Sequence, residues 1–293
     1  MIITVASGKG GTGKTMVATN LALSLMGATE RLGPTGGRLV FADCDVEEPN
    51  AALFLNPVLN ERKGVHLLIP EIDTSTCTYC GHCAEVCQYN ALAVIGEKVL
   101  VFSDLCHGCG SCTLECPTGA IREVPHLLGY VEKGRVGSMV FVQGLTNIGV
   151  PMSPPIIREV KRWAIDARGQ GVMIIDAPPG TSCPVVESLR GSDYALMVTE
   201  PTPFGLHDLR LAVEVARKEL GIPVGVIVNR DGIGDAGVEE FCSLEEIPIL
   251  MRIPLDRRIA EAYSKGELVI SALPAYRQRF LALFERIREE VGG

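Results

Sequence analysis

The chain opens with a short apolar run and a glycine-rich segment, and this feature restricts the fold more than any other. Residues 2–6 read IITVA, and residues 8–15 read GKGGTGKT, which matches G-x-x-x-x-G-K-[ST] at every position. From Thr15 onward apolar residues recur with helical spacing, at Val17, Leu21 and Leu25. A loop between a strand and a helix places backbone N–H groups at a helix N-terminus, where they favour an anion. The segment therefore predicts a phosphate-binding loop.

The rest of the chain repeats the alternation of buried strands and amphipathic helices. Apolar runs that indicate strands are RLVFADCD, SMVFVQG, GVMIIDAPPG, YALMVTEP, PVGVIVNR and PILMRIP. Helical spacing occurs between several of them, for example in PPIIREVKRWAIDARG and LHDLRLAVEVARKELG. Apolar strands that alternate with helices are typical of a parallel sheet covered on both faces. We predict an α/β fold of the P-loop NTPase type with a mostly parallel sheet.

Composition excludes some classes of function. With 293 residues, 47% of them hydrophobic, the chain has enough apolar residues for one large α/β domain or two ordinary ones. A net charge of −8 argues against broad electrostatic binding to nucleic acid or anionic membranes. No run approaches the roughly 18 apolar residues that span a bilayer, and MIITVASGKGG lacks the features of a signal peptide. We expect a cytoplasmic protein without nucleic acid or membrane partners.

The glycine-rich segment predicts particular contacts with a nucleotide. Its glycines let the backbone curl around a phosphate, Lys14 should contact the β- and γ-phosphates, and Thr15 should hold Mg²⁺. The predicted contacts from this segment are Gly8, Lys9, Gly10, Gly11, Thr12, Gly13, Lys14, Thr15 and Met16.

Lys9 is an additional lysine, five residues before Lys14. With it the segment resembles the deviant Walker A ATPases, the family of MinD, ParA, the Mrp cluster carriers and the nitrogenase iron protein. The resemblance implies a homodimer in the ATP state, in which Lys9 reaches across to the partner's phosphates. It covers the chain outside a central insert, including IPLDRRIAEAYSKGELV near the C-terminus. A solvated loop lysine remains the alternative.

The same resemblance assigns roles to residues at strand ends. Asp45 would position or deprotonate the attacking water, and Asp43 would support Mg²⁺ indirectly. Asp176 follows a buried run, as a Walker B carboxylate does, and would bind Mg²⁺ through water. Strand-end aspartates also cap helices, which is the alternative for Asp43 and Asp45. With Lys9 and Lys14, these three aspartates are the predicted catalytic residues of an ATPase.

Three later segments also match the family. Residues 177–180, ending at Gly180, resemble the switch that senses the γ-phosphate. Asn229 matches the asparagine that reads adenine, which favours ATP over GTP, and Arg230 beside it is a weaker candidate. The mixed charges of the last helical segment, RQRFLALFERIREE, favour packing against the sheet over membrane binding.

Eight of the eleven cysteines lie between residues 77 and 116, which points to metal ligation. The spacing C-x2-C-x2-C-x3-C occurs twice, starting at Cys77 and again at Cys106. Three thiolates at this spacing can bind three corners of a cubane, while the fourth cysteine turns toward another cluster. Zinc, the alternative, prefers two separated pairs of cysteines. ALAVIGEKVLVF, between the two copies, predicts a hairpin around Gly96.

The cysteine segment resembles a bacterial ferredoxin with two [4Fe-4S] clusters. The resemblance implies an inserted ferredoxin domain over residues 71–125, with the ATPase domain formed by residues 1–70 and 126–293. It implies that ligands cross between the two copies. The first cluster would bind Cys77, Cys80, Cys83 and Cys116, and the second Cys106, Cys109, Cys112 and Cys87. One departure is Gln88, which stands after Cys87 where the second copy has Pro117.

The remaining cysteines carry weaker hypotheses. Cys183 lies seven residues after Asp176, and the nitrogenase iron protein has a cluster-ligating cysteine in a similar place. A cluster or metal shared across a dimer is one interpretation, and a buried or weakly reactive thiol is the other. Cys44 and Cys242 are expected to be core or surface thiols. His82 and His107, inside the cysteine loops, either tune cluster hydrogen bonds or are ordinary loop residues.

The leading interpretation is an Mg-ATP-dependent dimeric ATPase that couples nucleotide state to electron transfer with a protein redox partner. One alternative is a carrier or assembly ATPase of the Mrp type, which delivers iron–sulfur clusters or metal to an acceptor. Another is a redox-sensing ATPase that positions partners, as MinD and ParA do.

Overall fold

A computed structural model of the chain describes residues 1–27 and 37–292, so residues 28–36 and 293 of the predicted ATPase domain lie outside it. The strands are β1 (Ile2–Ala6), β2 (Leu39–Asp43), β3 (Val58–Ile72), β4 (Leu92–Val94), β5 (Val99–Val101), β6 (Ile121–Val136), β7 (Met139–Thr146), β8 (Val172–Asp176), β9 (Tyr194–Thr199), β10 (Val224–Asp231) and β11 (Ile249–Pro254).

The helices are α1 (Lys14–Met26), α2 (Ala51–Leu55), α3 (His82–Glu85), α4 (Ser111–Leu114), α5 (Pro154–Arg168), α6 (Cys183–Leu189), α7 (Pro203–Val213), α8 (Gly237–Leu244), α9 (Arg257–Ser264), α10 (Val269–Ala272) and α11 (Ala275–Gly292). A 3₁₀ turn covers Ser103–Leu105, and a π-helical turn, Glu214–Glu219, continues α7. Within the described residues no helix is both long and apolar enough to cross a membrane.

One large sheet has the strand order β11-β10-β9-β1-β8-β2-β7-β6-β3. The strands from β11 to β7 are all parallel, whereas β6 is antiparallel to β7 and β3 is antiparallel to β6. The predicted α/β P-loop NTPase fold with a mostly parallel sheet is confirmed. Each strand predicted from an apolar run is present.

Helices cover both faces of the parallel region, as its apolar strands require. Every residue of β1, β2 and β8 is buried. On one face, Phe41 and Phe141 pack with α1 and with Phe280 and Phe284 of α11. The other face packs against α5, α6, α7 and α8. The last helix therefore packs against the sheet, as its charge pattern indicated.

Strands β3 and β6 form a long ribbon that leaves the edge of this sheet. They pair from Val58 with Arg135 to Ile72 with Ile121, whereas β7 pairs with β6 only between residues 129 and 136. The outer part of the ribbon therefore has no third strand, and its tip carries the cysteine segment. The predicted domain boundaries, after residues 70 and 125, fall inside these two strands, so the ribbon runs across both of them.

Candidate nucleotide site and cysteine-lined cavities

A cavity of about 400 Å³ lies where the carboxyl ends of the parallel strands meet. Ligands of open α/β sheets bind at this edge, because loops from several strands converge there. Its lining residues are Gly10, Gly11, Gly13, Lys14, Thr15, Met16, Asp45, Glu48, Asn50, Pro179, Asn229, Arg230, Pro254, Leu255, Asp256, Ile259, Ala260 and Tyr263. The loop after β1 and the segments after β2, β8, β10 and β11 therefore form one site.

The glycine-rich loop is held tightly against its neighbours. Gly13 has a φ of 97°, and a Cβ atom there would lie 2.6 Å from Nδ2 of Asn229. Glycine is therefore required by backbone conformation and by space. Lys14 and Thr15, the first residues of α1, are buried and face the cavity. The N-terminus of α1, which favours anions, therefore faces the cavity, as phosphate binding requires.

Asp43 and Asp176 are direct neighbours, because β2 and β8 pair in register at these residues. Asp43 accepts hydrogen bonds from the backbone N–H groups of Asp45 and Ala51, both at 3.1 Å. Burial, and then the charge of Asp176, raise the pKa of Asp43. Its carboxylate thus holds the turn that leads into α2, as the capping alternative describes, and indirect support of Mg²⁺ stays a prediction.

Asp176 is buried, and among the described residues neither of its carboxylate oxygens has a hydrogen-bond partner. Burial raises its pKa to about 7, although the charge of Lys14 opposes the rise. An unpaired buried carboxylate is costly unless a ligand completes it. Waters bound to Mg²⁺ are suitable hydrogen-bond donors to these carboxylate oxygens. Thr15, the predicted Mg²⁺ ligand, lines the nucleotide cavity. The residues therefore fit Mg²⁺ at this position.

Asp45 faces the cavity, unlike Asp43. Burial raises its pKa, and the charge of Lys14 lowers it in opposition. Glu48 and Asn50, from the same loop, also line the cavity. The two aspartates therefore differ in position: Asp43 holds the loop through hydrogen bonds, and Asp45 faces the nucleotide cavity.

Lys9 is not free in solvent. Its Nζ lies 3.5 Å from a carboxylate oxygen of Glu200, and the guanidinium of Arg230 lies 2.6 Å from the other oxygen. Arg230 also reaches the carbonyl oxygen of Gly11 at 3.5 Å. Glu200 was not predicted as a site residue. The sequence signal that could have identified Glu200 is an acidic residue directly after an apolar run. In the structure this residue is buried at the end of β9, the strand beside β1.

Asn229 braces the loop as well as lining the cavity. Its Nδ2 donates to the carbonyl oxygen of Thr12 at 2.7 Å, and its Oδ1 accepts from the backbone N–H of Arg230 at 2.9 Å. A side-chain amide has two N–H donors, so one remains for a ligand. Reading adenine stays a prediction for this residue.

Sequence reasoning missed part of the cavity wall and included residues that lie outside it. The wall from Pro254 to Tyr263 follows the last parallel strand, so its position at the same edge was the available signal. Gly180 does not line the cavity, but its N–H donates to the carbonyl oxygen of Ser7 at 3.1 Å. The other predicted residues that do not line the cavity are Gly8, Lys9, Thr12, Asp43 and Asp176.

Two small cavities lie at the tip of the ribbon, each of about 20 Å³. The cysteines that line the first are Cys77, Cys80, Cys83 and Cys116. Those that line the second are Cys87, Cys106, Cys109 and Cys112. This division coincides with the crossed ligand sets that the ferredoxin resemblance implies.

The internal repeat explains why the two cavities are alike. Gly81 and Gly110, both with positive φ, precede the single turns α3 and α4, which contain Cys83 and Cys112. The predicted hairpin is formed by β4 and β5. A small apolar core centred on Leu92 and Ile121 joins the two copies. Each half therefore contributes three cysteines to one cavity and one to the other.

The sulfur atoms lie in surroundings that suit iron–sulfur ligation. The backbone N–H of Ala91 donates to Sγ of Cys87 at 3.3 Å, and that of Gly108 donates to Sγ of Cys106 at 3.5 Å. Such bonds stabilise thiolates and tune cluster potentials. Within the described residues, no three His, Cys, Asp or Glu side chains are grouped closely enough to hold a single metal ion. Four cysteines line each cavity.

The other candidate residues take ordinary positions. Cys44 and Cys242 are buried core thiols, and burial raises the pKa of Cys242 to about 11. Cys183 is exposed at the start of α6, and the shared-cluster hypothesis for it stays a prediction. His107 stacks on Tyr89 with ring centroids 3.7 Å apart. His82 lies 3.4 Å from Glu85, so both histidines contact other side chains of the tip.

Comparisons with known proteins identify similar chains over almost the full length of this one. An uncharacterized protein of Methanocaldococcus jannaschii is 32% identical over 268 residues, 91% of this chain and 90% of its own length. The cytosolic Fe-S cluster assembly factor Nubp2 homolog of Anopheles gambiae is 25% identical over 293 residues, with coverage of 93% and 90%.

Among solved structures, the septum site-determining protein MinD of Pyrococcus horikoshii, complexed with Mg-ADP, has a TM-score of 0.60 at 20% identity. The match covers 99% of this chain and 97% of that one, and it shows a shared fold. The family model described as CobQ/CobB/MinD/ParA nucleotide binding domain matches residues 3–269. The chain therefore belongs to this family of P-loop ATPases.

Proposed function

We propose that this ATPase works in iron–sulfur cluster assembly or transfer, with a [4Fe-4S] cluster in each cysteine-lined cavity and a ferredoxin-like domain at residues 71–125. The observation that carries the proposal is the pair of four-cysteine cavities on a ribbon that extends the ATPase sheet. The relative from Anopheles supports it, because its name describes a cytosolic Fe-S cluster assembly factor.

The ATP site contributes hydrolysis in this proposal. Bound Mg²⁺ supplies charge neutralisation for the phosphates. Lys14 and the N–H groups at the start of α1 would hold the phosphates, while Asp176 would hold the waters around Mg²⁺. Asp45, which faces the cavity, would orient the attacking water. Asn229 would place adenine through its remaining N–H group, and Lys9 would act in an ATP-bound homodimer.

The link between the ATP site and the cysteine tip would run through α2. The loop after Asp45 lines the nucleotide cavity and leads into α2, and only two residues separate the end of α2 from the start of β3. Phe54 of α2 also packs on Tyr263 of the cavity wall, with ring centroids 4.9 Å apart. A shift of this loop on ATP binding would therefore reach the base of the ribbon.

Transfer to an acceptor tests the proposal. The protein would be reconstituted anaerobically with iron and sulfide, which should give about eight irons per chain. It would then be mixed with an apo-ferredoxin, with and without Mg-ATP, and iron in the re-isolated acceptor would be measured. We expect ATP to accelerate transfer, and the Lys14→Ala protein to lose that acceleration. A chain that binds no iron, or transfer unaffected by ATP, would contradict the proposal.

A second candidate function is nucleotide-controlled electron transfer to a protein redox partner. The observation that favours it is that each cavity has a complete set of four cysteines, which favours clusters that stay in place. Reduction potentials measured with ATP, with ADP and without nucleotide test this function. Nucleotide-dependent potentials together with iron that stays in the chain would favour it over transfer.

A further inference from the structure

We propose that Glu200 is a positioning residue for the ATPase, which holds Lys9 in the nucleotide-free chain and releases it when the phosphates of a nucleotide compete for the same ammonium group. The inference rests on the proposed function in one respect only, the role of Lys9 once it is released. The holding contact itself is a property of the single chain.

The carboxylate of Glu200 is fixed in place and largely buried. Its side chain is 8% exposed, and its carbonyl oxygen accepts from the backbone N–H of Thr202 at 2.8 Å. The following helix packs closely, because a Cβ atom at Gly205 would lie 2.2 Å from the same carbonyl oxygen. A buried carboxylate needs a cationic partner, and Glu200 has two.

The two cations are held very differently. Arg230 lies 2.6 Å from Glu200, and its backbone, with a φ of 53°, is fixed by the hydrogen bond from its N–H to Asn229. Lys9 lies 3.5 Å away, a longer contact, although its side chain is less exposed (33%) than that of Arg230 (48%). By distance and backbone support, Arg230 is therefore the closer partner and Lys9 the exchangeable one.

This difference makes the release of Lys9 possible without stranding a buried charge. When Lys9 leaves, Arg230 still neutralises Glu200. If Glu200 had Lys9 alone, release would leave an unpaired buried carboxylate, which is strongly unfavourable. The loop residues beside Lys9, Gly10 and Gly11, line the nucleotide cavity, so bound phosphates would lie within reach of the released ammonium.

The test measures how fast Lys9 reacts with an amine-specific acylating reagent in the nucleotide-free protein, by peptide mass spectrometry. In Glu200→Gln, an isosteric change, Lys9 should react about two- to fivefold faster, because its ion pair is lost. In Arg230→Gln it should react more slowly than in the parent, because Glu200 then has Lys9 as its remaining cation. Lys218, on the π-helical turn, is the internal control and should not change.

The reaction rate of Lys9 should rise in one variant and fall in the other, and this difference distinguishes a positioning role of Glu200 from a merely structural one. A general loosening of the loop would accelerate the reaction of Lys9 in both variants, and that result would overturn the proposal. Equal rates in the parent and in Glu200→Gln would overturn it too. Circular dichroism melting of each variant checks folding.

The proposed role of Lys9 in an ATP-bound homodimer is tested separately. ATP-dependent dimerisation of the Asp45→Ala protein would be measured with and without Glu200→Gln. Lack of a dimer in Asp45→Ala would count against the proposed role of Lys9, while the reaction rates would still decide whether Glu200 holds it.

Discussion

The parallel region of the sheet and the β3–β6 ribbon belong to one sheet but are stabilised in different ways. In the parallel region, strands such as β2 are buried along their whole length, with helices on both faces. In the ribbon, most residues of β3 are exposed, and the tip has only a small apolar core. Packing should therefore contribute most of the stability of the first region, whereas we expect the tip to depend on ligands bound at its cysteines.

The largest expected effect is on the free energy of unfolding of the parallel region. Phe141 is fully buried and stacks on Phe41 with ring centroids 5.8 Å apart. Phe141→Ala should lower the free energy of unfolding by about 3–5 kcal/mol, measured by urea denaturation. The matched change in the ribbon, Leu59→Ala, removes a side chain that is 40% exposed. It should cost less than about 1 kcal/mol, and equal costs would refute the comparison.

The parallel region and the cysteine tip should also differ in their contribution to ATP turnover. Lys14→Ala should lower ATP turnover by about 100-fold or more, because it removes the charge at the phosphates in a buried site. Iron content after reconstitution should stay unchanged, since Lys14 lines neither cysteine-lined cavity. Lys218→Ala is the control and should retain parent activity. Retained turnover in Lys14→Ala would overturn the assignment of the nucleotide site.

A third test addresses the tip. Cys109→Ser should remove the iron of one cavity, about half of the total, because Cys109 lines only the second cavity. ATP turnover should change little. Cys183→Ser, which alters an exposed thiol outside both cavities, is the matched control and should keep all its iron. Loss of iron in the control would instead support a shared cluster at Cys183.

The last expected effect, small per pH unit, is a pH dependence of stability in the parallel region. The pKa of Asp176 is raised from 3.8 to about 7, so between these values the folded state binds more protons than the unfolded state. Without nucleotide and Mg²⁺, stability should therefore fall as pH rises through this window and level off above it. Asp176 alone should contribute at most about 1.4 kcal/mol per pH unit to this slope, and the raised pKa values of Asp43 and Asp45 add to it in the same direction. Asp176→Asn should reduce the slope, and an unchanged slope would assign it to other groups.

The sequence predicts most of what depends on local pattern. The phosphate loop and the two cysteine repeats carry their geometry in residue spacing, and the buried strands carry theirs in apolar runs. The ribbon was missed because β3, VLNERKGVHLLIPEI, has charges along much of its length. Only the middle of β3 packs against the core, through Val65, and most of its other residues are exposed, so the usual strand signal is weak.

Contacts between residues that are distant in the chain could not be predicted from the sequence. Asp43 accepts a hydrogen bond from the N–H of Ala51, and Asn229 donates one to Thr12, because of strand order and register. The contact between Glu200 and Lys9 depends on β9 lying beside β1. Such neighbours are set by the assembled sheet, and no spacing rule encodes them.

The end of the ribbon has an evolutionary consequence. Ile72 and Ile121 are direct cross-strand partners, and the N–H of Asp73 donates to the carbonyl oxygen of Ala120 at 2.7 Å. The chain therefore leaves the ribbon and returns to it at one point, across a gap that a two-residue hairpin turn can close. An ancestral chain could thus acquire the cysteine segment, or lose it, as a single exchangeable cassette, without altering the register of any strand around the ATP site.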